Sequence, residues 1–68
     1  MSLAKTKWHV GKQCLAKVNG TDKWLRCEVM RLVGGMFGRP WVRVVERDPV
    51  WHGSELSPGQ CKLKEVEG

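Results

Sequence analysis

Tyrosine is absent from this 68-residue chain and phenylalanine occurs once, at Phe37, so aromatic chemistry rests on four tryptophans. No apolar run approaches the ~18 residues that a membrane-spanning helix needs, and the opening residues lack the charged-then-apolar order of a secretory signal. Cysteine is odd in number, with Cys14, Cys27 and Cys61 far apart. Small secreted domains carry dense, even-numbered cysteines, so a reduced intracellular setting, nuclear or cytoplasmic, is expected. Neither the cysteines nor His9 and His52 show the close pairing of zinc ligands, and Cys14 and Cys27 read as small apolar core residues. The segment Gly34-Gly35-Met36-Phe37-Gly38 lacks the Lys-Ser/Thr and helix of a phosphate loop. Asp48, His52 and Ser54 are near in sequence, but nothing around them suggests an oxyanion site. No cofactor, no metal and no enzymatic activity is expected.

What is present is one small core and a basic surface. A chain of this size buries only about 60% of the surface that its unfolded form exposes, so most apolar side chains are needed for folding. Residues 1–7 read as a lead-in, 8–66 as the domain and 67–68 as a tail. Met1-Ser2-Leu3 and Glu67-Gly68 have the look of residues left by cloning. Twelve Lys and Arg against seven Asp and Glu give a formal charge of +5, which favours an acidic partner if the charges gather on one face.

The pattern is that of strands. Residues 13–18 alternate, with Cys14, Ala16 and Val18 on one side, and Asn19-Gly20 follows as a hairpin signal because both residues tolerate positive φ. Residues 23–33 form the longest alternating run. Leu25, Cys27, Val29, Arg31 and Val33 share one side, and Trp24, Arg26, Glu28, Met30 and Leu32 the other. Three glycines and Pro40 then mark a loop carrying Met36 and Phe37. Residues 41–46 are rich in valine and read as a third strand, with Val42 and Val44 inward. Pro49 makes 47–53 a loop or a very short strand, Glu55 to Gln60 read as a single 3₁₀ turn, and 61–66 as the last strand. Trp8 is expected to close one end of the core. Such short strands without an amphipathic helix predict an all-β, five-stranded small barrel, since closure removes exposed edges.

The segment Val10-Gly11-Lys12-Gln13-Cys14-Leu15-Ala16, a hairpin, and then Trp24-Leu25-Arg26-Cys27-Glu28-Val29 resembles the opening of a Tudor domain. Glu55-Leu56-Ser57-Pro58 before a final strand is similar to the 3₁₀ turn that completes the SH3-like barrel of that family. The resemblance covers about residues 9–65. It implies a non-enzymatic module that binds a partner-protein peptide, with methylated lysine or arginine as the family's ligand, in a larger chromatin- or RNA-associated protein. Methylated cations are held against ring faces. Val18 and Leu25 stand where the family usually has aromatics, so the cage is degenerate. Trp24, Phe37, Trp41 and Trp51 are the candidates for a substitute cage, with Glu46, Asp48 or Glu55 facing the cation. A nucleic-acid-binding barrel is the alternative, because Phe37, Arg39, Trp41 and Arg43 interleave rings with cations, and Arg47 lies close behind. A plain protein-interaction surface with Trp24, Met36, Phe37 and Trp51 as anchors is the third reading.

Overall fold

The computed structural model describes residues 8–34 and 38–66, so the lead-in, the tail and the candidates Met36 and Phe37 lie outside the described residues. Five strands form one antiparallel sheet: β1 (Gln13–Val18), β2 (Trp24–Val33), β3 (Arg39–Val44), β4 (Glu55–Leu56) and β5 (Cys61–Glu65). Their spatial order is β4-β3-β2-β1-β5. There is no helix among the described residues.

The inward side of each strand supplies a single core. Cys14, Ala16, Leu25, Cys27, Val29, Val42, Val44 and Leu56 are buried, with Val18 and Cys61 at its margin and Trp8, Leu32, Trp51 and Leu63 packed against it. β1 follows its expected range and alternation. Leu56 and Cys61 come from the two opposite edge strands, yet both belong to this core. A flat five-stranded sheet would hold its edges about 19 Å apart. Here they are joined by the tight turn Ser57-Pro58-Gly59-Gln60, in which the Gln60 amide donates to the Ser57 carbonyl at 3.0 Å. Such a turn brings its ends within about 7 Å, so the sheet curls around its own core and its other face is convex.

Several expectations change. The β1–β2 turn places only Gly20 at positive φ (92°), so Asn19 does not share the left-handed region that was expected of both residues. The Thr21 amide donates to the Val18 carbonyl across this turn. That combination, with glycine third of four, is a type II arrangement rather than the mirror-image hairpin turn. In β2, the inward alternation of Leu25, Cys27 and Val29 holds, but the register with β3 shifts between Val29 and Arg31. One residue is thereby taken up in a bulge, which reverses the phase beyond it. Leu32 accordingly packs on the core, while Arg31 and Val33, expected inward, are exposed.

β3 begins two residues earlier than expected and ends at Val44. Pro40 lies inside it, opposite Leu32. Pro40 is buried, and among the described residues β4 pairs with Val42 and Arg43 alone, so no ladder partner on that side of β3 calls for the missing Pro40 donor. Val45 and Glu46 leave the strand because both amides donate to the Arg26 carbonyl. Glu55 and Leu56 form strand β4 rather than part of a 3₁₀ turn, which leaves too few residues for a helical segment. Gln60 Oε1 accepts from the Ser57 amide and hydroxyl, which braces the turn that remains.

Candidate functional site

The convex face is built by the outward residues of every strand, and cross-strand register arranges them in rows. At one end lie Lys62, Lys17 and Trp24, followed by Lys64, Leu15 and Arg26. The middle row is Gln13, Glu28, Arg43 and Glu55. At the far end Arg31 stands opposite Trp41, and Val33 opposite Arg39.

Both outward tryptophans sit beneath cations. Lys64 Nζ is 4.4 Å and Lys17 Nζ 5.7 Å from the Trp24 ring centroid. The Arg31 guanidinium carbon is 4.5 Å from the Trp41 ring, whose indole N–H donates to Glu55 Oε1 at 3.0 Å. A cation over an exposed ring gains about 0.5–1 kcal/mol, enough to orient a long side chain without fixing it.

Three acids are held in ion pairs. Lys12 pairs with Glu65, Lys23 with Asp48 and Arg26 with Glu46. Of the seven convex-face cations only Arg26 takes part in these ion pairs; Lys17, Lys62, Lys64, Arg31, Arg39 and Arg43 do not. Apart from Arg26, which Glu46 balances, the cations at both ends of the face lie outside these pairs, and the outward strand carboxylates Glu28 and Glu55 stand in the middle row.

The expected cage residues are not gathered in one place. Trp24 and the Arg31–Trp41 pair lie at opposite ends of β2, roughly 20 Å apart along the strand. Trp51 is in the 45–54 loop, half-buried against the core. Val18 and Leu25 are both core residues. Glu46 is the partner of Arg26. Asp48 is buried, and its carboxylate is fully used: Oδ1 accepts from Lys23 Nζ at 2.6 Å, and Oδ2 accepts from the Val50 and Trp51 amides at 2.9 Å each. The Lys23 bond and the two amides hold its pKa down to about 2, and the same contact raises that of Lys23. Asp48 thus organises the loop that carries Trp51. Arg47 sits beside it with Pro49 and His52 around a shallow concavity of about 450 Å³, off the convex face.

Of the candidates for nucleic acid, Arg39, Trp41 and Arg43 do share β3 and its outer side. Lys17, Lys62, Lys64 and Arg31 were missed. Strict alternation in β1 and β5 marks the three lysines as outward residues, whereas Arg31 is hidden by the bulge. The three thiols stay in the core, where burial raises the pKa of Cys14 to about 11 and of Cys27 to about 12, and raises that of Cys61. Among the described residues no group of three or more His, Cys, Asp or Glu side chains is placed to hold a metal ion.

No family model, no curated protein and no solved structure matches this chain.

Proposed function

We propose that this chain is a non-enzymatic nucleic-acid-binding module built on a small SH3-like barrel. The barrel reading rests on the sheet order and on the short turn that joins its two edge strands. The observation that carries the binding reading is the set of six cations on the convex face, which have no carboxylate partner in the ion pairs described. Phosphate oxygens would supply the missing counter-charge, and the release of condensed counterions would drive association. Long side chains draped over Trp24 and Trp41 bring their charge forward while their stems lie on the sheet.

A peptide ligand is the second reading, favoured by the concavity at Arg47, Asp48, Pro49 and His52 next to Trp51. A methylated cation there would meet a carboxylate already saturated by Lys23 and two amides, so an unmodified peptide suits the site better.

The test is a parallel NMR titration with a short oligonucleotide and with methylated and unmethylated peptides. Nucleic acid is expected to shift the Trp24 and Trp41 indole resonances, with affinity falling steeply as salt rises. Shifts confined to Trp51 and His52 on adding peptide, with none from the oligonucleotide, would replace this reading by the second.

A further inference from the structure

We infer that the nucleic acid taken by the convex face is double-stranded B-form DNA, laid so that one groove lies over the Glu28 row and its two phosphate strands lie on the basic ends. This rests on the nucleic-acid reading above and narrows it to one partner.

Charge is ordered along β2. The end at Trp24 and Arg26 carries Lys17, Lys62 and Lys64, and Arg26 there is balanced by Glu46. The far end carries Arg31 and Arg39 with no acid on the same rows. Between them, Arg43 is flanked across the strands by Glu28 and Glu55, so the middle row is net negative. A single strand crossing from one basic end to the other would carry phosphates over those two carboxylates. A duplex avoids this, because its phosphates run along the two rims of a groove and leave the centre free.

Spacing agrees with that arrangement. With one residue absorbed by the bulge, the centres of the two ends are about six strand steps apart, or roughly 20 Å. The major groove of B-DNA is about 12 Å wide and the minor groove about 6 Å. Adding the phosphate radii puts the phosphate rows roughly 18 Å and 12 Å apart, so the major groove matches. The convex surface can lie across that groove, with β2 running from rim to rim and the Glu28 row over the opening. The corresponding groove of A-form RNA is deep and narrow and would exclude it.

The rings point the same way. Trp24 lies beneath Lys17 and Lys64, and Trp41 beneath Arg31 with its N–H held by Glu55. Trp8 and Trp51 pack on the core. A base stacking on either outward ring would have to displace the cation above it, at a cost of about 0.5–1 kcal/mol, whereas phosphates on the two basic ends leave both contacts in place.

Fluorescence anisotropy tests the inference with a mixed-sequence DNA duplex of about 20 base pairs, each of its strands alone, and the RNA duplex of the same sequence. The DNA duplex is expected to bind at least about tenfold tighter than the other probes, with a log–log salt slope near −4 to −5. The pairs Lys62→Ala/Lys64→Ala and Arg31→Ala/Arg39→Ala should each weaken duplex binding and shrink the slope by about two. Glu28→Gln should leave duplex affinity within about twofold and improve single-strand binding. All these positions are exposed or half-buried on the outer side, and far-UV circular dichroism checks that each variant stays folded. Equal affinity for single strands or for RNA would overturn the duplex inference and leave the nucleic-acid reading standing, as would loss from one cluster alone. Absence of binding to every probe at low salt would overturn both.

Discussion

Replacing Leu56 by alanine tests the curl of the sheet, and hence its convex face. Leu56 is 1% exposed and is the only core residue that the two-residue strand β4 supplies. Removing a buried leucine side chain costs about 2–5 kcal/mol through lost transfer energy and the cavity left behind. A domain of this size has roughly 3–10 kcal/mol in total. The loss is thus a large fraction of stability, and with a urea dependence of about 1 kcal/mol per molar the midpoint should fall by about 2–5 M. Tryptophan emission reports the transition, because Trp8 and Trp51 pack on the core. Leu15→Ala is the matched control, since Leu15 is half-buried on the outer side and should cost less than about 1 kcal/mol. Leu56→Val, which removes less volume, keeps the experiment readable if the alanine variant does not fold. If Leu56→Ala lowers the midpoint no more than Leu15→Ala does, β4 does not share the core and the curled sheet is wrong.

Two further outcomes follow from buried groups. The Asp48 carboxylate has its pKa depressed from an ordinary 3.8 to about 2, so the stability it contributes is present above pH 4 and is lost as pH falls toward 2. Asp48→Asn should therefore lower the thermal midpoint at neutral pH and flatten its dependence between pH 4 and 2, and an unchanged acid limb in circular-dichroism melts would refute this. The Cys14 and Cys27 thiols are inaccessible, with pKa values pushed up to about 11 and 12. They should react with a disulfide reagent only as fast as the domain opens, and a rapid native-state burst from either, mapped by mass spectrometry, would contradict their placement.

How much of this was legible in the sequence depended on whether a local pattern or a distant partner set the outcome. Cys14, Ala16, Leu25, Cys27, Val29, Val42 and Val44 are core because alternation and apolar character agree at each of them. β4 has no period to read: Glu55 and Leu56 become a strand only because Val42 and Arg43 lie beside them. Pro40 suggests a loop, yet it occupies β3 where, among the described residues, no paired strand needs its missing amide. Asp48 before Pro49 shows a turn initiator, and its use by the Val50 and Trp51 amides follows from that chemistry. Its reading as a ligand for a cation missed that Lys23, far away in sequence, already supplies one. The basic face was half legible for the same reason. Lys17, Lys62 and Lys64 follow from alternation, while the meeting of β1 with β5 that gathers them does not.

The bulge in β2 is where sequence, fold and site are most tightly joined. Without it, alternation from Leu25 would carry Arg31 and Val33 into the core, where an unpaired guanidinium costs several kcal/mol. One extra residue between Val29 and Arg31 restores a tolerable order, turning Leu32 toward the core and Arg31 onto Trp41. The same local kink suits a strand that serves two partners, since Trp24 to Glu28 pair with β1 while the pairing with β3 runs from Cys27 to Val33. An insertion of this kind changes every face beyond it, which no single substitution does. The second basic end of the convex surface thus exists because β2 is one residue too long for a regular ladder. The arginine that alternation alone would bury is the residue that this irregularity delivers to the convex face.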